Sequence, residues 1–252
     1  MTQYSELLQN LEELDLVKIR SILPEYLDKR KKDSTTLIKA LTELTTQEIE
    51  DKSIRISENL IRTAAFPYRK TLDDFDFSFN ENIDKDYLMD LATLRFVEDN
   101  KNVLFVGNPG VGKTHLAVAL GILATQNRYS VYFTTCHQLI TKLNKAHKEN
   151  RLEKQLQHFG QYRILIIDEI GYLPIDIQGA NIFFQLISKR YGKKSTIITT
   201  NMPFGNWGDV FNNNTIASAI LDRLLHQAYV VKMVGESYRT KYLATNKKSA
   251  GI

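Results

Sequence analysis

Cysteine is nearly absent from this sequence, and long apolar segments are missing altogether. The single cysteine, Cys136, excludes a disulfide framework and a cysteine-based zinc cluster. The first residues, MTQYSELLQNLEELDL, lack the basic and then apolar pattern of a secretion signal, and no apolar run approaches the length of a membrane span. We therefore expect a cytoplasmic protein that has no membrane partner.

Acidic residues are scarce in the C-terminal part of the chain. Residues 101–252 carry 19 Lys and Arg but only 8 Asp and Glu, whereas residues 1–70 carry 12 of each. A positive excess of this kind favours a polyanionic partner such as nucleic acid. A basic surface that is simply solvated has the same composition, so charge alone leaves both interpretations open.

Glycine does not occur in the first 60 residues, which are rich in Leu, Glu and Lys. Apolar residues recur there at steps of three and four, a spacing that predicts several short helices. Pro24 is expected in a first helical turn, and the stretch DKRKKDSTT is expected to separate two helices. We assign residues 1–62 to a small helical domain and consider it a candidate for binding DNA or a protein partner.

The remainder of the chain, residues 63–252, begins with a predicted connector over residues 63–85. In this connector Pro67 breaks the helical pattern, and phenylalanines alternate with charged residues. From residue 101 onward, apolar runs of strand length alternate with amphipathic stretches of helix length. Such alternation predicts an α/β fold with a parallel sheet covered by helices. The five runs are NVLFVG, SVYFTT, RILIID, STIITT and AYVVKMV.

Four of the twelve glycines fall in the stretch LFVGNPGVGKTHLAVALG. Its segment GNPGVGKT, residues 107–114, matches the phosphate-binding pattern G-x-x-x-x-G-K-[ST] between a predicted strand, Val103–Val106, and a predicted helix, Thr114–Ala124. Glycines in such a loop allow backbone N–H groups to converge on phosphate oxygens, and the helix N-terminus adds positive partial charge. A glycine-rich turn without a ligand is the structural alternative.

This loop supplies the predicted contacts to a nucleotide. Lys113 is expected to reach the β- and γ-phosphates, and the Thr114 hydroxyl is expected to bind Mg²⁺. ATP and Mg²⁺ are therefore the predicted cofactors. The predicted ATP-binding residues of this segment are Gly107, Asn108, Pro109, Gly110, Val111, Gly112, Lys113, Thr114 and His115.

Two adjacent carboxylates follow the apolar run of RILIIDEIG. Asp168 is positioned to hold Mg²⁺ directly or through water, and Glu169 can polarise a water molecule for attack on the γ-phosphate. A small-molecule kinase needs the first acid but not a second one that activates water. The pair therefore favours hydrolysis, with a solvated charge at a strand end as the structural alternative.

Three further polar residues are candidates for catalysis. Asn201 follows the run STIITT, where the γ-phosphate and the attacking water are expected, although Asn is also a common turn residue after strands. Arg223 lies in a predicted amphipathic helix, and Arg239 follows the last apolar run. A guanidinium accelerates phosphoryl transfer by neutralising developing charge, but a lone arginine is also a common surface residue.

Several segments together resemble the IstB-type ATP-binding proteins, the transposition helpers of bacterial insertion sequences. These are similar to the DnaC/DnaA-like branch of the AAA+ ATPases. The resemblance covers about residues 60–245 closely and the helical N-terminal domain more loosely. The segments that carry it are AAFPYRKTLDDFDF, GNPGVGKTHLAVALG, LIIDEIGYLP, IITTN, LDRLLH and GESYR.

The resemblance implies an AAA+ P-loop domain over residues 63–252, preceded by the small helical domain. It also implies that the segment TLDDFDF lies near the nucleobase, with Phe75 or Phe77 in contact, although buried phenylalanines more often belong to a core. The family's functional positions fall on Lys113 and Thr114 as Walker A, Asp168 and Glu169 as Walker B, Asn201 as sensor 1, Arg223 as the trans-acting arginine finger and Arg239 as the cis-acting sensor 2.

The function implied by the resemblance is that of an ATPase that forms a homo-oligomer through its ATP sites. It would assemble on duplex DNA and assist an IstA-like transposase. A replicative helicase loader of the DnaC/DnaI type shares the same ATPase core and is the nearest alternative. A P-loop kinase for a small metabolite and a nucleotide-binding scaffold without hydrolysis are the remaining ones.

Basic stretches offer several candidate DNA contacts, none of which contains a base-reading motif. We therefore predict sequence-tolerant binding to double-stranded DNA. Lysines after a helix also meet its dipole favourably, and acid–base spacing of four residues is typical of a solvated face. The candidates are Arg69 and Lys70, the helix that carries Lys142, Lys145, Lys148 and Arg151, the turn with Lys193 and Lys194, and the tail KYLATNKKSAGI.

Overall fold

The computed structural model describes residues 2–30, 35–79 and 83–238. Tertiary contacts divide the chain into two units, and the division falls between Asn59 and Leu60. Within the described ranges, no helix combines the length and the apolar character that crossing a membrane requires.

Three helices form the first unit. They are α1 (Gln3–Glu13), α2 (Val17–Arg30) and α3 (Leu37–Thr63), and the residues of α3 from Leu60 onward belong to the second unit. A small core forms where these helices meet, and a buried acid, Glu48, accepts a hydrogen bond from the backbone N–H of Ile19 at 2.9 Å. Ile19 lies in the first turn of α2, where N–H groups lack partners within the helix. The core residues are Leu11, Ile19, Leu23 and Leu44.

The prediction that Pro24 lies in a first helical turn was wrong. Pro24 lies in the interior of α2, where proline removes one backbone hydrogen bond and crowds the preceding turn at a cost of about 3 kcal/mol. Ile19 and Leu23 are buried in the core on either side of that turn. Burial of these side chains holds the helix continuous through a residue that would end it in isolation.

The second unit is built around a sheet of five parallel strands. The strand order is β2-β3-β4-β1-β5, so β4 lies between β1 and β3. Every apolar run that the sequence analysis assigned to a strand is a strand. The strands are β1 (Asn102–Gly107), β2 (Val131–Thr135), β3 (Ile164–Ile170), β4 (Ser195–Thr200) and β5 (Ala228–Met233).

Helices cover both faces of this sheet. Two apolar cores result, one that contains side chains of α6 and another that contains side chains of α7, α9 and α11. Strands buried on both faces read as continuous apolar runs, which explains why the sequence revealed them. The helices of this unit are α4 (Lys85–Ala92), α5 (Arg95–Glu98), α6 (Lys113–Gln126), α7 (Cys136–Lys148), α8 (Leu152–Gln161), α9 (Ile177–Arg190), α10 (Trp207–Val210) and α11 (Asn214–Leu225), with a 3₁₀ turn at Phe204–Asn206.

The chain between α3 and α4 corresponds to the predicted connector. Its described residues form turns and bends rather than a continuous extended segment. At its start the carbonyl of Ala64 accepts a hydrogen bond of 2.8 Å from the backbone N–H of Phe133 in the edge strand β2. The connector therefore covers part of an edge that would otherwise expose unpaired backbone groups.

A fully buried arginine joins α8, α9 and β4. The guanidinium of Arg190, which is 1 % exposed, donates to the carbonyls of Phe159, Tyr162 and Ser195 and to the hydroxyl of Thr196. Burial lowers the pKa of Arg190 to about 9, so the side chain stays charged at neutral pH. This charge is stabilised by neutral oxygen acceptors that the guanidinium geometry matches.

We predict that Arg190→Met lowers the free energy of unfolding of the second unit by at least about 3 kcal/mol, because buried carbonyls lose their donors. Trp207, the single tryptophan and fully buried in this unit, reports the transition by its fluorescence during chemical denaturation. Lys189→Met is the control, because Lys189 forms an exposed ion pair with Glu153 and should contribute little. Equal effects of the two substitutions would contradict the prediction.

Candidate nucleotide-binding site

The loop of residues 107–114 connects the carboxyl end of β1 to the start of α6. Gly107 approaches β5 so closely that a Cβ atom there would lie 1.8 Å from the carbonyl oxygen of Met233. Gly112 has φ +98°, and a Cβ atom there would lie 2.5 Å from the ring of Phe75. These two positions require glycine, because a side chain would collide with backbone or with an aromatic ring.

Lys113 is the first residue of α6, and its ammonium folds back over the loop. The Nζ atom donates to the carbonyl oxygens of Gly107 at 2.7 Å and of Asn108 at 2.6 Å. A positive charge thus lies beside the N-terminal N–H groups of a 14-residue helix. Both features attract anions, as the predicted phosphate site requires.

A hydroxyl and a carboxylate meet beside this loop. Thr114 Oγ1 donates to Asp168 near the carboxyl end of β3, with 2.9 Å to Oδ1 and 3.2 Å to Oδ2. Asp168 is 4 % exposed. Hydroxyl and carboxylate oxygens are ligands that Mg²⁺ accepts, usually together with water and substrate phosphate. The two residues predicted to bind metal are therefore adjacent and chemically suited to it.

Glu169 follows Asp168 but has an unusual backbone conformation. Its φ is +61°, and the pairing of β3 with β4 shifts between Ile167 and Ile170, so Asp168 and Glu169 together face the single residue Thr199. This is a β-bulge, which re-aims the side chains of a strand. Ile167 and Ile170 both enter the same core, and the carboxylate of Glu169 is exposed to the cavity.

One cavity of about 480 Å³ contains most of the predicted site residues. It extends from the connector across the phosphate loop to the ends of β3 and β4. Asn201, which follows β4, lies on its wall together with Glu169. The predicted residues that line it are Phe75, Pro109, Gly110, Val111, Gly112, Lys113, Thr114, His115, Glu169 and Asn201.

Aromatic side chains of the connector form the other end of the cavity. Phe75 makes edge-to-face contacts with Phe77 at 4.9 Å and with His115 at 5.3 Å between ring centroids. Both rings pack against the core, but Phe75 also lines the cavity and Phe77 does not. Of the two predicted nucleobase contacts, Phe75 is therefore the one that a ligand in the cavity can reach.

His115 lies beside this aromatic end. Its Nε2 atom is 2.8 Å from the carbonyl oxygen of Thr71, so the neutral ring places its proton on Nε2. Burial lowers the pKa of His115, an effect that the hydrogen bond to Thr71 partly opposes. A neutral imidazole at neutral pH links the connector to the first turn of α6.

Arg223, one of the two predicted catalytic arginines, lies apart from this set. Arg223 in α11 donates to the carbonyl of Ala219 at 3.0 Å, and its guanidinium lies 4.5 Å from the ring centroid of Phe184. Arg223 does not line the cavity of its own chain. Arg239 and the basic tail KYLATNKKSAGI fall outside the described residues.

The predicted DNA contacts within the described residues lie on several different elements. Lys70 lies at the cavity itself, with its ammonium 5.9 Å from the ring centroid of Tyr68. Lys145 and Lys148 are exposed in the last turn of α7. Arg69 is exposed in the connector, Lys193 is exposed in the turn after α9, and Lys194 next to it is half-buried.

Sequence reasoning missed residues at both ends of the cavity. Thr199 in β4 contacts both Asp168 and Glu169, and nothing in the run STIITT, which contains three threonines, distinguishes it from the others. Tyr238 lines the cavity, and its backbone N–H donates to the carbonyl of Gly110 at 3.0 Å. Its ring contacts Phe79 edge to face at 4.9 Å, a pairing that separation in sequence concealed.

The glycine loop, its lysine and the two carboxylates on β3 define a P-loop nucleotide-binding protein. A comparison with family models extends this assignment to nearly the whole chain. Residues 9–246 match the family described as IstB-like ATP binding protein. The chain therefore belongs to the family of IstB-like ATP-binding proteins, as its motifs indicated.

Relatives from insertion sequences are similar over most of their length. The ATP-binding protein of insertion sequence IS232 from Bacillus thuringiensis subsp. berliner is 46% identical over 238 residues, which cover 94% of this chain and 95% of that protein. The corresponding protein of insertion sequence IS21 from Pseudomonas aeruginosa is 46% identical over 206 residues, which cover 82% of this chain and 76% of that protein.

Solved structures share the fold at low sequence identity. The replication initiator DnaA, bound to AMPPCP and single-stranded DNA, aligns with a TM-score of 0.56 and 17% identity. The alignment covers 73% of this chain and 56% of the DnaA chain. DnaI aligns with a TM-score of 0.53 and 20% identity, and the alignment covers 67% of this chain and 90% of the DnaI chain. The predicted fold, an AAA+ parallel sheet preceded by a small helical unit, is confirmed.

We predict that Gly112→Ala weakens ATP binding about tenfold or more, because a side chain at φ +98° is strained and collides with Phe75. Titration of a fluorescent ATP analogue measures the affinity, and the melting temperature shows whether the fold persists. Gly205→Ala is the control, since nothing lies within 4 Å of a Cβ atom at that position. Unchanged affinity of the Gly112 variant would contradict this account of the loop.

Proposed function

We propose that this protein hydrolyses ATP and that hydrolysis is coupled to assembly on DNA during insertion-sequence transposition. The observation that carries the ATPase proposal is the meeting of the phosphate loop with two carboxylates at one cavity. Thr114 bonds to Asp168, and the carboxylate of Glu169 is open to the same space. A protein that only bound nucleotide would need the loop but no exposed second acid.

Each group has a separate task in this proposal. The loop N–H groups and Lys113 hold the triphosphate, and Thr114 with Asp168 holds Mg²⁺, which supplies charge neutralisation at the phosphates when bound. Glu169 accepts a proton from the attacking water, and Asn201 orients that water. Phe75 contacts the nucleobase at the aromatic end of the cavity.

Two alternatives fit the described residues less well. A kinase for a small metabolite has no use for an exposed carboxylate beside the metal-binding acid, and here the β-bulge aims Glu169 at the cavity. A scaffold without hydrolysis would likewise not need this strained conformation. The backbone at Glu169 therefore supports hydrolysis over both.

A homo-oligomer through the ATP sites is part of the proposal. Arg223 does not line the cavity of its own chain, and its guanidinium is held against Phe184 at the side of α11. A second copy of the chain can present this arginine to the γ-phosphate, where it would neutralise developing charge. Turnover would then depend on assembly. Arg239 is proposed to act within its own chain as sensor 2.

Duplex DNA is the proposed polyanionic partner, and a transposase is the proposed protein partner. The names of the relatives place those proteins in insertion sequences. Residues 101–252 carry an excess of basic residues, which suits sequence-tolerant contact with phosphates. We assign ATP turnover to residues 63–252, and we propose that the helical domain of residues 1–62 binds DNA or the transposase.

We predict that Glu169→Gln lowers kcat for ATP hydrolysis on the order of 10²–10⁴-fold, because the amide cannot accept the proton of the attacking water. Affinity for the fluorescent ATP analogue should be retained, since the phosphate loop is unchanged. Glu98→Gln, at an exposed acid in α5, serves as the control. Wild-type protein without turnover, alone or with duplex DNA, would refute the ATPase proposal.

We predict that the protein binds an arbitrary-sequence labelled duplex more tightly with ATP than with ADP, and that binding weakens steeply with salt. Fluorescence anisotropy across a salt series measures the counterions released. Replacing Lys145 and Lys148 by alanine should reduce the slope of log K against log salt by about 1 per lysine. Lys101→Ala is the control, because Lys101 is paired with Asp99 before β1.

Salt-insensitive binding, or no duplex binding with any nucleotide, would count against the transposition proposal. A helicase loader that acts through a protein partner would then become the better account. If the two α7 substitutions leave binding unchanged, the proposal of duplex binding still stands. The DNA contact must then lie in another basic segment.

A further inference from the structure

A threonine in β4 links the two carboxylate residues of the site. Thr199 is 1 % exposed. Its hydroxyl donates a hydrogen bond to Oδ1 of Asp168 and accepts one of 2.9 Å from the backbone N–H of Glu169. A hydroxyl has one proton to donate and lone pairs to accept, so one group can hold both neighbours at once.

The bond to Glu169 is made at the strained point of the backbone. A residue other than glycine is disfavoured at positive φ, and Glu169 has φ +61°. At the β-bulge, Thr199 of β4 faces both Asp168 and Glu169 of β3, so a regular ladder bond cannot serve both peptides. The threonine hydroxyl replaces the ladder bond for the N–H of Glu169.

The bond to Asp168 acts on the other member of the pair. Asp168 also accepts from Thr114 in the phosphate loop, so two hydroxyls from different elements fix the carboxylate plane. Groups that orient a metal-binding carboxylate commonly affect metal affinity or activity by about 10- to 100-fold when removed.

We infer that Thr199 is a positioning residue that sets both carboxylates for ATP hydrolysis, Asp168 toward the metal and Glu169 toward the attacking water. This inference rests on the proposed ATPase function. Thr199 acts through Asp168 and Glu169 rather than on the nucleotide itself, because its hydroxyl is engaged by both of them.

A packing role for Thr199 makes the opposite prediction. Threonine is common in buried strands because its branched side chain fits a pleated surface, and valine fits equally well. If only shape mattered, Thr199→Val would behave as the wild type and Thr199→Ser would lose packing. If the hydroxyl matters, serine restores function and valine does not.

The experiment compares these two variants in steady-state ATP hydrolysis. We expect Thr199→Val to lower kcat on the order of 10- to 100-fold with little change in KM for ATP, because the phosphate loop is intact. Thr199→Ser should recover most of the wild-type kcat. Thr134→Val is the control, since Thr134 is an equally buried strand threonine whose hydroxyl donates to the carbonyl of the adjacent Thr135.

A binding measurement tests the same inference without turnover. The Mg²⁺ concentration that gives half-maximal binding of a fluorescent ATP analogue should rise about tenfold in Thr199→Val. It should stay near the wild-type value in Thr199→Ser and Thr134→Val. Melting temperatures of all variants show whether the fold is retained.

The possible failures are distinguishable. Wild-type protein without ATP hydrolysis refutes the proposed function, whereas the Mg²⁺ dependence of binding still tests how Thr199 orients Asp168. Wild-type kcat and Mg²⁺ dependence in Thr199→Val overturn the inference. A loss confined to Thr199→Ser indicates a packing role and likewise overturns it. Equal losses in the valine and serine variants, in proportion to a lowered melting temperature, also overturn it, because they indicate a damaged fold rather than a missing hydroxyl.

Discussion

The hydrogen bond between Thr114 and Asp168 is the interaction on which the arrangement of the site depends. Thr114 follows β1 and Asp168 lies near the carboxyl end of β3, and these strands are not neighbours, because β4 lies between them. The bond therefore crosses over the end of β4 and closes a crevice at the carboxyl edge of the sheet. Crevices at this edge are where parallel α/β sheets bind ligands. The residues at the end of β4 lie beneath it as a consequence of strand order, although they are distant in sequence from both partners.

A second constraint is that β3 is buried on both faces. In a regular strand, successive side chains alternate between faces, so Glu169 would follow Leu165 and Ile167 into an apolar core. A carboxylate there would lose its hydration without gaining a partner. The β-bulge puts Ile170 into that core instead and leaves Glu169 at the cavity. The strained backbone at Glu169 thus allows two consecutive acids to serve one site while the strand around them stays buried.

Much of the fold and the centre of the site could be predicted because they follow from strong local signals. Buried parallel strands appear in the sequence as continuous apolar runs. The glycines of residues 107–114 indicate a loop whose backbone lies too close to other atoms for side chains to fit. The bulge at Glu169 was not predictable, because no local sequence pattern shows which peptide group loses its regular hydrogen bond to the next strand. The role of Thr199 was not predictable either, since threonine is an ordinary strand residue. Pro24 was misjudged because burial of its neighbours outweighs its local preference. Tyr238 was missed because only the tertiary fold brings it to the loop.

The contacts of Lys113 suggest how nucleotide binding alters the loop. Its ammonium is held by the carbonyls of Gly107 and Asn108, which are neutral acceptors, and phosphate oxygens are stronger acceptors because they are charged. A triphosphate therefore competes with the loop for the same side chain. The loop is also bonded to the segment after β5, since the Asn108 amide donates to Gly235 and the Gly110 carbonyl accepts from Tyr238. The segment that precedes Arg239 is therefore bonded to the same loop whose carbonyls hold Lys113.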